Sequence, residues 1–92
     1  MGDSKLVVEE FRIENRLGLH MRSAAMVVRV AEGFKSRVTL KNADTVADAG
    51  SVLDLLTLAA GMGAVITIEA EGPDAEEAVR VLGDLIRRGF AD

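Results

Sequence analysis

Ala75, Ala78, Val79, Leu82, Leu85 and Ile86 recur at the three- and four-residue spacing of a single helix face, with Glu76, Glu77, Arg80 and Asp84 opposite. A stripe that apolar must be buried, so this helix needs a partner surface. Alternating segments supply one. Leu6 to Glu14 reads as a strand with Phe11 and Ile13 on one face and Glu10 and Arg12 on the other. Arg37 to Lys41 alternates with Val38 and Leu40 inward, Thr45 to Ala47 forms a short strand after the Asn42-Ala43-Asp44 turn, and Val65 to Ala70 places Ile66 and Ile68 on one side. Ala24, Val27, Val28 and Ala31 predict a helix from Met21 to Glu32 that stops at Gly33. Ser51, with Asp54 at the matching third position, opens a second helix that Gly61-Met62-Gly63 ends. Gly72-Pro73-Asp74 opens the last one, with Asp74 as its cap, and Arg88-Gly89 closes it. The order β-α-β-β-α-β-α, with one apolar face per strand, predicts an α+β open-faced sandwich. Its four-stranded antiparallel sheet carries three helices on one side, as one domain over residues 1–92.

Composition removes several classes of function. The formal charge of −4 leaves no basic face to displace counterions, and three phenylalanines without tyrosine or tryptophan make no base-stacking platform, so no nucleic-acid partner is expected. An RNA-recognition domain with a similar element order is set aside on the same grounds. With no cysteine there is neither a disulfide nor a thiol nucleophile, and no cluster has metal-ligand spacing. The polar start of the chain is no signal peptide, and the apolar stretch from Val52 to Ile68 is too interrupted to span a membrane. A cytoplasmic protein without membrane insertion, metal or cofactor is the expectation.

His20 is the one histidine, placed where a glycine loop meets the start of a helix. Helix starts present unpaired N–H groups and the positive end of the dipole, which favour an anion. An imidazole there is a nucleophile near neutral pH whose adduct the backbone can cradle. Arg22 adds a permanently charged fork suited to phosphate. A plain capping histidine is the alternative reading of the same position. A ligand-sensing domain would also place glycine between first strand and helix, but has no need of His20-Met21-Arg22. A stand-alone hydrolase lacks an acid placed to orient the imidazole.

The run Asn15-Arg16-Leu17-Gly18-Leu19-His20-Met21-Arg22 resembles the active-site signature of HPr, the histidine-containing phosphocarrier family of the bacterial phosphotransferase system. The similarity continues through Gly33-Phe34, Gly50-Ser51-Val52-Leu53, Gly61 and Glu69-Ala70-Glu71-Gly72-Pro73, and the tail to Gly89-Phe90-Ala91-Asp92 is similar to the nitrogen-branch NPr subgroup. This resemblance implies that His20 caps the first helix, takes a phosphoryl group on Nδ1 from phosphorylated enzyme I and passes it to an enzyme IIA. The backbone N–H groups of Met21, Arg22 and Ser23 would hold the phosphate, with the Arg22 guanidinium as counter-charge. A single arginine is expected, because tighter binding would lower the carrier's transfer potential. The alternative within the family is a nitrogen-type regulatory phosphoprotein, acting by phosphorylation-dependent partner binding rather than sugar uptake.

Two positions depart from the family's pattern. Ser23 stands where the family usually has proline, which restores an N–H and adds a hydroxyl that also suits phosphate, and Met21 replaces a small or polar residue. Ser51 aligns with a serine that a dedicated kinase phosphorylates in some relatives, but its capping role already explains it, and Gly50 precedes it where kinase-regulated relatives tend to carry a basic residue. Met21, Ala25, Val52, Leu53 and Leu56 correspond to the family's partner-docking surface. Helix two is apolar nearly all round, more than a one-sided helix needs, which favours an exposed patch over a purely buried role.

Overall fold

The computed structural model describes residues 5–91. Its elements are β1 (Lys5–Arg12), α1 (Met21–Ala31), β2 (Arg37–Asn42), β3 (Thr45–Asp48), α2 (Val52–Thr57), β4 (Val65–Gly72) and α3 (Ala75–Arg87). The strands form one antiparallel sheet in the order β1-β4-β2-β3. Phe11 lies opposite Ile66, and Ile68 lies opposite Leu40, so the apolar alternates of three strands fall into adjacent rows. Phe11, Val38, Leu40, Ala47, Ile66, Ile68 and Ala70 are buried, whereas Leu6, Val8, Val46 and Val65 on the other parity are exposed. One face therefore carries the helices and the other meets solvent. Among the described residues no helix is long and apolar enough to cross a membrane.

The stripe of α3 is buried as read, Ala75, Ala78, Val79, Leu82, Leu85 and Ile86 all lying in the core. Gly83 sits among them for a steric reason: a Cβ there would run into the Phe11 ring, so the glycine lets α3 approach β1 closely. The Arg87 guanidinium lies over the same ring, 5.1 Å from its centroid.

Three element boundaries differ from the sequence reading by two residues or more, each with a tertiary hydrogen bond at the point of difference. β1 ends at Arg12 rather than Glu14, yet Ile13 stays buried and is held by the Ala64 carbonyl at 2.8 Å. The first residues of β1 pair with Glu71 and Gly72, which extends β4 past Ala70. α2 stops at Thr57, well before Gly61-Met62-Gly63. The carbonyls that would continue it are engaged elsewhere: Leu58 accepts from Asn42 Nδ2 at 2.9 Å and Ala60 from the Leu19 N–H at 2.8 Å. Ala59 takes φ +50° to make that departure.

Asp74 corrects another expectation. It occupies the N-cap position of α3 but makes no side-chain cap bond. Its carboxylate accepts instead from the Lys35 N–H and the Ser36 N–H, each at 2.9 Å, and from Ser36 Oγ at 2.6 Å. Three donors outcompete one, and the chain entering β2 is tied to the start of α3. The Ser36 hydroxyl first, then the Lys35 amide, hold the Asp74 carboxyl below its ordinary value of 3.8, with desolvation opposing. A folded pKa below the unfolded one stabilises the fold fully above the unfolded value, and that stability fades as pH falls through the folded value. The thermal advantage of the native chain over Asp74→Ala is therefore expected to be complete at about pH 7 and to shrink below about pH 4, as read from melting curves across pH.

Candidate functional site

The turn before α1 is closed on itself. The Gly18 N–H donates to the Asn15 carbonyl at 3.1 Å, and Asn15 Nδ2 donates to the Gly18 carbonyl at 3.0 Å. Gly18 takes φ +67°, and Leu19 behind it is buried and bonded to Ala60. This anchors the loop on the segment that follows α2, and His20 emerges at the N-cap of α1 with extended backbone (φ −134°, ψ −172°). Its side chain is half-buried.

Ser23 stands at the third position of α1 and is only 2% exposed. Its hydroxyl accepts from the His20 N–H at 2.9 Å and lies 3.2 Å from the carbonyls of Gly18 and His20. The hydroxyl that replaces the family's proline ring is thus directed into the loop, where it holds the cap, rather than outward to an anion. Of the two contributions expected from Ser23, only its backbone remains oriented with the helix start. In the reciprocal half of the capping box the Ser23 amide faces the His20 side chain.

His20 opens into a shallow depression of about 390 Å³, which it lines together with Arg22, Arg16, Asn15, Met26 and Phe90. The far wall comes from the end of α3. There the Gly89 N–H reaches the Ile86 carbonyl at 3.0 Å and the Phe90 N–H the Leu85 carbonyl at 2.9 Å, a Schellman closure with Gly89 at φ +66°. That reversal turns Phe90 inward against the site. Among the described residues no carboxylate side chain lines the depression, so a chain of net charge −4 surrounds His20 with arginine. Asn15 Oδ1 is buried without a partner beside it.

The structure brings His20, Met21, Arg22 and Ser23 together as the cap and first turn of α1. Asn15 and Arg16 belong to the signature run but carry no assigned role in the sequence reading, and Met26 and Phe90 are not among its site residues. Only Gly89, readable as a helix stop, hinted that the chain doubles back there. Arg16 also qualifies the expectation of a single arginine, since two line the site.

Around this site the docking candidates separate into two kinds. Met21 and Leu53 are 64% and 76% exposed, whereas Ala25, Val52 and Leu56 are half-buried. Leu55 and Leu58 of the same apolar run are in the core. Leu17 and Met62, 71% and 65% exposed, extend the apolar surface along the loop packed on Ala60 and Gly61. Ser51 caps α2, its Oγ accepting from the Asp54 N–H at 3.1 Å. Two carboxylates flank it: Asp48 Oδ1 accepts from the Gly50 N–H at 2.8 Å, and Asp54 Oδ2 from the Asp48 N–H at 3.2 Å.

The family model described as the PTS HPr component phosphorylation site matches residues 7–88. The chain is 39% identical over 80 residues to the phosphocarrier protein HPr of Cupriavidus necator, covering 87% of this chain and 90% of that one. It is 39% identical over 85 residues to the phosphocarrier protein NPr of Escherichia coli, covering 91% and 94%. The crystal structure of HPr-C-His from Thermoanaerobacter tengcongensis superimposes with a TM-score of 0.84 at 35% identity, covering 96% and 97%. With a histidine-capped helix, a sheet covered on one face and these matches along nearly its whole length, the chain belongs to the HPr family of phosphocarrier proteins of the phosphotransferase system.

Proposed function

We propose that His20 is the residue on which this phosphocarrier holds its phosphoryl group, and that enzyme I and an enzyme IIA are the donor and the acceptor. The observation that carries this reading is the half-buried imidazole at the N-cap of α1, opening on a depression whose charged side chains, among the described residues, are the histidine itself and two arginines. Phosphoryl transfer asks a protein for positioning and charge compensation more than for covalent chemistry. The lone pair of Nδ1 forms the new P–N bond as the bond from phosphorus to the donor atom breaks, its electron pair remaining on the donor. The proton on the other ring nitrogen leaves and the donor atom takes one up. The amides of Met21, Arg22 and Ser23 and the Arg22 guanidinium meet the incoming charge, and the same steps reversed deliver it to the acceptor. Incubation with phosphoenolpyruvate and enzyme I tests this, the expected result being one acid-labile phosphoryl mass on His20. A mass that maps to another residue overturns it.

Partner contact falls to the apolar surface beside the site, with Met21 and Leu53 as its exposed members and Ala25, Val52 and Leu56 beneath them. Because Leu53 is 76% exposed, Leu53→Glu should change folding stability by no more than about 0.5 kcal/mol. It should nevertheless slow transfer to and from partners by about tenfold, or roughly 1.4 kcal/mol. Stopped-flow transfer kinetics beside a thermal melt check both, and a large drop in melting temperature would return Leu53 to the core. Ser51 is read as a helix cap. The carboxylates of Asp48 and Asp54 on either side of it oppose a phosphate, which weighs against a serine kinase as a partner. These partners put the carrier in the cytoplasm.

A nitrogen-type regulatory role is the second reading, supported by the identity to NPr. It implies faster transfer to a nitrogen-type than to a sugar-type enzyme IIA.

A further inference from the structure

We propose that Arg16 is a second phosphate-facing cation, which shares the charge on phosphorylated His20 with Arg22 and so sets how strongly the carrier holds its phosphoryl group. The proposal rests on the reading of His20 as the acceptor. Arg16 lines the same depression as His20 and Arg22, although it belongs to the loop and not to the helix. Its backbone is held: the turn that carries it is closed by the two Asn15–Gly18 bonds and backed by Ser23 Oγ at 3.2 Å from the Gly18 carbonyl. The base of the side chain is thus fixed, while its exposed head is free to swing onto an anion.

Charge balance points the same way. Arg80 and Arg87 on α3 each have a carboxylate partner, Glu77 at 3.3 Å and Asp84 at 2.9 Å. Among the described residues Arg16 has none, and neither have Arg12, Arg29, Arg37 and Arg88, but of these five only Arg16 lines the depression, where no described carboxylate stands. A guanidinium kept clear of acids beside a residue that gains a dianionic group is placed for that group. Its consequence is thermodynamic. Every cation that meets the phosphoryl group on His20 draws the exchange with the donor toward the carrier, and makes that exchange weaker at high salt.

The test is the equilibrium constant for phosphoryl exchange between enzyme I and the carrier, measured at low and high salt. The native chain is compared with Arg16→Gln, Arg16→Lys and Arg80→Gln. Arg16→Gln is expected to shift the equilibrium three- to tenfold away from the phosphorylated carrier, with a flatter salt dependence. Arg16→Lys should recover part of both effects, and Arg80→Gln, which removes an equal charge elsewhere, neither. Arg16→Gln matching Arg80→Gln in both readouts, on a native chain that does carry phosphate on His20, overturns the role of Arg16 alone. A native chain that takes no phosphate on His20 overturns the reading of the site itself.

Discussion

His20→Ala is expected to fold and to accept no acid-labile phosphate from enzyme I and phosphoenolpyruvate. The fold survives because the imidazole is a half-buried N-cap, not a core residue, and loss of a cap costs about 1 kcal/mol. The Ser23 half of the capping box stays in place, since it uses the backbone N–H of residue 20 and not its ring. Acceptance, by contrast, disappears. The remaining Arg16, Arg22 and helix amides can attract a phosphate but offer no lone pair to bond phosphorus. Intact-mass analysis before and after acid treatment reads the result, and a thermal melt confirms folding. Equal labelling of His20→Ala and the native chain would remove His20 from its role. His20→Gln, which keeps a polar cap, guards against reading a folding defect as lost chemistry.

Gly18→Ala should damage stability and transfer together. At φ +67° any L side chain is strained, and the new Cβ would collide with the Ala60 carbonyl oxygen and sit 2.7 Å from Gly61 Cα. Both are backbone atoms, so no rotamer change relieves the contact and the loop must move off the end of α2. Left-handed strain and overpacking each cost about 1–3 kcal/mol, so a total of about 2–6 kcal/mol is expected. Movement would also weaken the 2.8 Å bond from the Leu19 N–H to Ala60 and tilt His20 away from the amides. Chemical denaturation measures the first effect, and transfer rates at a fixed concentration of folded protein the second. Gly61→Ala, whose Cβ meets nothing within 4 Å, is the neighbouring control and should be close to neutral. A Gly18→Ala chain as stable as Gly61→Ala would show that the loop is not locked in this way.

The two substitutions differ in how visible they are in the amino-acid order. His20 stands out at once, a lone imidazole before an amphipathic run, because helix starts are set by neighbours within a turn. Gly18 announces a loop, but nothing local says that Ala60 lies against it. Asp74 shows the same limit more sharply. Its local setting reads as a cap, and the fold gives its carboxylate to Lys35 and Ser36, because proximity in space offered three donors where the helix offered one. α2 likewise ends at Thr57 under hydrogen bonds from Asn42 and Leu19 that no window of sequence contains. On an all-apolar stretch, periodicity was also unable to separate exposed Leu53 from buried Leu55.

Period and punctuation alone determined the seven elements, their apolar faces, the layering of helices on one sheet face and the position of His20 at a helix start. Those depend on short-range geometry: side chains alternate along a strand and align every three to four residues on a helix. Only the tertiary structure decided what faces the histidine. Arg16 and Met26 lie within six residues of it, but Phe90 joins them because the packing of α3 returns a distant segment to the same edge, where contact depends on space rather than on order along the chain.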